Sequence, residues 1–303
     1  MRTVTRDRVY RHHSRFNPPS LTVAPGETFL AETELCSGPW LNSVTDVWRP
    51  ELGSGPNPTV VVAVEGAQPG DCLAVRVHDI ALDDVGYTAV GPRGGACPDW
   101  VRQRSWGIVT KTVRIRDGYV VWSDALRLPV APMIGVLGTA PEVEVFSNAW
   151  PGPHGGNMDI QEVRAGATVY LPINVPGALL HIGDVHAMMG DGEINGAGGI
   201  ECRGRVTLSV QLLPRPPRMA WPRIVDATHL IAVGCARPAE DAFRIAVEQL
   251  VYWLADRYSM EEPEAYLFLG QVLEARATQL VDPLYTYVAK VKRDYLPAIA
   301  PVP

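Results

Sequence analysis

The sequence predicts an α+β fold that is mainly β: a sandwich- or barrel-like core of short strands, with two helices near the C-terminus packed on it. Three observations carry this. Proline and glycine number 27 and 28 among 303 residues, a density of turn formers that an all-helical chain does not carry. From the start to about residue 213 the apolar stretches are short, cut by turns, and several alternate with the period of two that a half-buried strand requires. Beyond Pro238 the apolar period lengthens to that of a helix. Residues 1–303 read as a single domain, with 1–213 mainly β and 214–303 a helical and C-terminal segment completing the same unit.

The elements follow in order. Thr59 to Val64 is a continuous apolar run of the buried-strand type. After the turn at Gln68-Pro69-Gly70-Asp71, Leu73, Val75 and Val77 alternate with Ala74, Arg76 and His78. Asp83 to Arg104 has no periodicity and is predicted to be a long loop, a surface excursion or a lid. Lys111–Ile115 and Gly118–Trp122 flank a hairpin turn at Arg116-Asp117. Thr168–Pro172 is a strand, Pro176-Gly177 a turn, and Ala178 to His186 a further strand. Val206, Leu208, Val210 and Leu212 share one face of a strand over Arg205–Leu213. Ala239 to Tyr258 is predicted helical, with Ala242, Ile245, Ala246, Leu250, Trp253 and Leu254 in one stripe. Ser259-Met260-Glu261-Glu262 has capping-box spacing with Pro263 in the first turn, opening a second helix from Glu262 to about Arg276.

Composition narrows the partners. A net charge of −6 and a pI near 5.7 argue against nucleic acid or an anionic membrane. Neither a signal-peptide core nor a membrane-length apolar run is present in this sequence. The cysteines at 36, 72, 97, 202 and 235 are odd in number and include no C-x-x-C pair, which points to reduced thiols in a cytoplasmic enzyme. Lys111, Lys290 and Lys292 are the sole lysines, so a lysine-based mechanism has few candidates.

The chemistry concentrates in two glycine-flanked stretches, His154-Gly155-Gly156-Asn157-Met158-Asp159 and Gly183-Asp184-Val185-His186 running on to Gly190-Asp191-Gly192-Glu193. On a strand, residues two apart face the same way, so Asp184 and His186 present a carboxylate and an imidazole together. Such a pair suits a divalent metal; a turn-capping Asp beside a hydrogen-bonded core His is the plainer reading of the pair alone. Asp159, Asp184, Asp191, Glu193 and Glu201 add carboxylates among residues otherwise rich in Gly, Val, Ile and Leu. Burying several unpaired carboxylates together is costly, and a cation is the usual remedy.

These same runs, with Val64-Glu65-Gly66-Ala67-Gln68-Pro69-Gly70-Asp71, Ile200-Glu201 and Arg276-Ala277-Thr278-Gln279-Leu280-Val281-Asp282, resemble the acetamidase/formamidase family over most of the chain. The resemblance implies hydrolysis of a small aliphatic amide to carboxylate and ammonia, in a homo-oligomer. An apolar tail, Leu296-Pro297-Ala298-Ile299-Ala300-Pro301-Val302-Pro303, suits burial against a neighbouring subunit. Amide hydrolysis needs an activated nucleophile, a polarised carbonyl and a proton for nitrogen; a divalent metal supplies the first two and a carboxylate the third. We place Asp159, Asp184 and His186 on the metal, with Glu193 as general base and then acid. Glu201 joins the metal set as a ligand or as an anchor for His186. Asn157 is a donor to the substrate oxygen or closes a Gly-Gly-Asn turn. His154 is a further ligand, an electrophile or an ordinary loop histidine. Zinc is the expected ion, with calcium or magnesium the alternatives for an oxygen-rich set. Met189 stands where the family often carries Gln, so a different amide, a cyclic amide or an ester is the alternative substrate, and a noncatalytic barrel that binds a metal or small ligand the alternative class.

Overall fold

A computed structural model describes residues 1–53, 55–91 and 94–298. Among the described residues 16 strands belong to one sheet. Its spine is a pair of antiparallel strands, Asp71–Val90 and Gly196–Pro214, in register from Pro214 opposite Asp71 to Gly196 opposite Val90. At 20 and 19 residues they are far longer than ordinary strands. Register shifts between Ala197 and Glu201, Cys202 and Gly204, and Thr207 and Leu208 let them bend. Near one end the first strand also pairs with Thr168–Pro172, and near the other with Val109–Arg116. The second strand also pairs with Thr28–Thr33 and with Leu180–His186.

Asp83 to Arg104 is therefore not one long loop. The strand runs on to Val90, and Pro98–Arg104 is a short helix. Residues 86 to 89 are all buried, because strands pair on both edges and side chains are covered on both faces there. A strand buried on both faces loses the alternation by which a strand is recognised. Pro92 and Arg93, within the stretch read as a lid, lie outside the described residues.

The C-terminal third is more than helical. Arg223–Val225, His229–Ala236, Glu274–Gln279 and Tyr285–Lys292 extend the same sheet. The helix Ala239–Tyr258 lies on them, burying Ala242, Ala246, Leu250, Trp253 and Leu254 as the stripe requires, with Ile245 at its half-buried margin. At Gly234 a Cβ would fall 2.2 Å from the Ala242 carbonyl oxygen, so strand and helix touch backbone to backbone. The second helix, Glu262–Val272, closes earlier than its sequence predicts, since Glu274–Gln279 pairs with Tyr285–Lys292 and sheet pairing overrides local propensity. Ser259 is not its N-cap: it closes the preceding helix in a left-handed conformation, and Glu261 opens the next without a side-chain cap. Leu296 is buried beneath the helices with Trp253 and Leu269, and residues 299–303 of the apolar tail lie outside the described residues. Among the described residues no helix is long and apolar enough to cross a membrane.

Candidate metal centre

Cross-strand pairing builds the site. Tyr87 lies opposite Glu201, Glu201 opposite His186, and His186 opposite Met133, one row across four strands. Opposite residues share a face of the sheet, so Glu201 is delivered to His186 by register alone. His186 Nε2 lies 3.4 Å from Glu201 Oε2, 3.4 Å from Asp184 Oδ1 and 3.8 Å from Asp159 Oδ1. Those separations exceed a good N–H···O bond. Three carboxylates thus converge on one imidazole without closing on it.

Close backbone approach makes room for them. Asp184 takes φ +59° within its strand, and Asp159 takes φ +46°. The amides of Met158 and Asp159 both donate to the Gly135 carbonyl, at 3.1 and 3.2 Å, which hangs the Asp159 loop on the neighbouring strand. A Cβ at Gly135 would sit 2.3 Å from Asp159 Oδ1 and 2.6 Å from Asp184 Oδ2, so that position admits no side chain beside the two carboxylates. Glu193 ends a short 3-10 turn, Asp191–Glu193, at φ +47°. The Arg276 guanidinium secures that turn by donating to Asp191, and it also donates to Gln161 and Glu162 beyond Asp159. One cation therefore joins the loops that carry Asp159 and Glu193.

An amide row covers the other side. Asn57 Nδ2 donates to Asp184 Oδ2 at 2.6 Å and to Asn157 Oδ1 at 3.0 Å, and Asn157 Nδ2 donates to Asp282 Oδ2 at 2.7 Å. Asn157 is thus engaged through both amide atoms, between Asp184's partner and Asp282. The row runs along a cavity of about 410 Å³ lined in part by Asn57, Asn157, Asp184, Glu193, Glu201 and Asp282, with Gly91, Gly94 and Gly95 on its wall. That volume lies within the range of small-molecule pockets.

The electrostatics follow from burial. Burial and the Asp184 charge raise the Asp159 carboxyl to about 7, with His186 opposing. Burial raises Glu201 to about 8, again against His186. Glu193 and Asp282 are pushed well above the usual carboxylate range, by burial first and then by Asp159 and the other acids. Burial lowers His186, but Glu201 and Asp184 outweigh it and carry the imidazole to about 10. Protein groups alone leave this set under-compensated. Both oxygens of Asp159, Asp184 Oδ1, Glu201 Oε2, Glu193 Oε2 and His186 Nε2 are buried without a hydrogen-bond partner. Donor atoms of Asp159, Asp184 and His186 lie within 4.8 Å of one another, as do those of Asp159, Glu193 and Asp282. One nitrogen among carboxylate oxygens is a donor set that fits a divalent cation.

The structure brings together six of the seven residues named from sequence: Asp159, Asp184, His186 and Glu201 at the centre, with Glu193 and Asn157 beside them. His154 is elsewhere. Its ring stacks on Phe146 at 5.0 Å and 11°, and meets His13 edge-on at 4.9 Å, in a buried group completed by His181. Burial lowers His154 to about 4 and His181 to about 3, which keeps both neutral. Sequence reading left Asp282, Asn57, Tyr87 and Cys36 unassigned. Asp282 closes a run noted for its resemblance and so carried a signal; the other three arrive from distant segments with none.

Comparison with known proteins gives the chain's relatives in sequence and fold. The profile described as "Acetamidase/Formamidase family" matches residues 2–151 and 148–218. A formamidase of Methylophilus methylotrophus is 28% identical, over 66% of this chain and 64% of that protein. An acetamidase of Mycolicibacterium smegmatis is 27% identical, over 69% and 67%. Across its curated relatives the chain spans 53% to 67% of their length. The crystal structure of an acetamidase from Bacillus halodurans superposes with a TM-score of 0.89 at 33% identity, covering 97% of this chain and 98% of that one.

Proposed function

The chain belongs to the acetamidase/formamidase family, and from that membership we propose that it is a cation-dependent hydrolase that cleaves a small aliphatic amide to carboxylate and ammonia. The observation that carries the reading is the convergence of partnerless buried atoms from Asp159, Asp184, His186 and Glu201, of which Asp184 and Glu201 line a cavity that Glu193 also lines. Asp159, Asp184 and His186 would hold the ion, with Glu201 as the fourth donor; zinc is the ion we favour because an imidazole is among the ligands. Bound there, a divalent ion supplies Lewis-acid polarisation and acidifies water.

The chain's own groups do the rest. Glu193 takes the proton from the attacking water and returns it to the departing nitrogen, a role open to a carboxyl lifted out of the ordinary acidic range. Asn157 and Asn57 fix the carboxylates of Asp282 and Asp184, so that neither swings into the substrate space. Trp48, Pro50 and Pro56 give the cavity an apolar side that meets the acyl group. We also propose a homo-oligomer, supported by Tyr266 and Leu267, which are 64% and 70% exposed on one helix.

Ammonia release from formamide and acetamide, by protein with and without added zinc, tests the reading. Release that depends on the ion is expected. Full turnover after exhaustive chelation, or no turnover of any short amide by ion-loaded protein, would overturn it.

A further inference from the structure

Resting on the reading above, we propose that Cys36, Asp184 and Glu201 form a second cation position in the same site, one that takes a thiophilic divalent ion through sulfur. Donor atoms of these three residues lie within 4.8 Å of one another. All three line the cavity, so the position is reached from the substrate side. Asp184 Oδ1 and Glu201 Oε2 are buried, at 3% residue exposure, and have no hydrogen-bond partner. Asp184 belongs to this set and to the set with Asp159 and His186, and Glu201 also reaches His186, so these two carboxylates lie between the two positions.

The surroundings of the sulfur point the same way. Trp40 Nε1 donates to Ser37 Oγ at 2.6 Å, and an indole N–H can only donate. Ser37 is then free to give its own hydrogen to Tyr87 Oη, 2.8 Å away. Tyr87 in turn is free to give its hydrogen to Cys36 Sγ, at 3.2 Å. In that order three donors end on the sulfur, an arrangement in which it can accept, as a ligating thiolate does when an outer hydrogen bond supports it. Cys202 and Cys235, by contrast, sit buried in the strands and are in none of the cation-capable groups among the described residues. They behave as small apolar residues. A sulfur donor would also bias the centre toward zinc and away from magnesium or calcium, which prefer oxygen alone.

Cadmium is the probe, because a cadmium–thiolate bond gives an ultraviolet charge-transfer band independent of catalysis. Full-length chelated protein titrated with Cd²⁺ should develop that band as it takes up about two ions per chain. Cys36→Ser should lose the band and bind one ion fewer, with the melting curve of the chelated protein unchanged. On the wild-type protein, Cd²⁺ should slow alkylation of Cys36 by iodoacetamide, read by peptide mass mapping; this arm stands even where the variant folds poorly. Bound Cd²⁺ with no thiolate band, an undiminished band in Cys36→Ser, or unprotected Cys36 would overturn the sulfur position and leave the first position standing. No Cd²⁺ bound at all would overturn both.

Discussion

Asp159, Asp184 and Glu193 hold φ angles of +46°, +59° and +47°, a region in which side chains other than glycine cost about 1–3 kcal/mol each. Such strain persists where the surroundings over-determine it, and here each strained residue contributes a buried carboxylate to the same cluster. Their roles nevertheless differ, and substitution separates them. Glu193→Gln keeps shape and hydrogen bonding but removes the basic carboxylate. It should lose roughly a hundred- to ten-thousand-fold in kcat, the usual worth of a proton shuttle, with ion content and melting temperature little changed. Asp184→Asn also keeps the backbone, since Asn tolerates the left-handed region, yet it should lose the ion and stability together. Elemental analysis alongside kinetics reads both; Glu193→Gln purified without its ion would make Glu193 a ligand instead.

At the scale of elements, the site depends on what strands place side by side. The Asp184–His186 pair was legible in the sequence because its spacing is local and the strand period is two. Glu201 could be seen as a candidate but not placed, since its position opposite His186 is a fact of register between two strands. Cys36, Asn57 and Tyr87 could not be found at all: a lone Cys, Asn or Tyr carries no pattern until the sheet closes around it. The strand through 86–89 was missed for a related reason, its burial on both faces erasing the alternation. Gly135 is the element-level hinge of the account, reserving space for two carboxylates. Gly135→Ala should weaken ion binding and cost about 1–3 kcal/mol of stability by overpacking. Gly190→Ala, where a Cβ meets nothing within 4 Å, should do neither. Equal melting temperatures and ion affinities for the two variants would remove Gly135 from the argument.

For the whole molecule, two buried groups pull stability in opposite directions with pH. Asp159, Glu201 and His186 have folded-state values raised to about 7, 8 and 10. Ion-free protein therefore holds their protons more tightly when folded, and the stability they contribute is lost as pH rises through those values. His154 and His181 are lowered to about 4 and 3, so their contribution is present above the unfolded value near 6.5 and is lost as pH falls. Only the first group is replaced by a bound ion. The melting-temperature difference between zinc-loaded and chelated protein should thus widen steadily from about pH 5 to pH 8, while the acid loss is common to both forms. At a free-ion level a hundred times Kd the ion itself adds about 2.7 kcal/mol. A gap that narrows with rising pH would show that the carboxylates do not meet at a cation.

The most direct test is a titration of the chelated protein with Zn²⁺, following bound ion and ammonia release from acetamide or formamide in the same samples. Activity should be absent at the start and rise in step with the first equivalent bound. Turnover that is already complete before any ion is added, or that stays absent once the Asp159–Asp184–His186 position is filled, would contradict it.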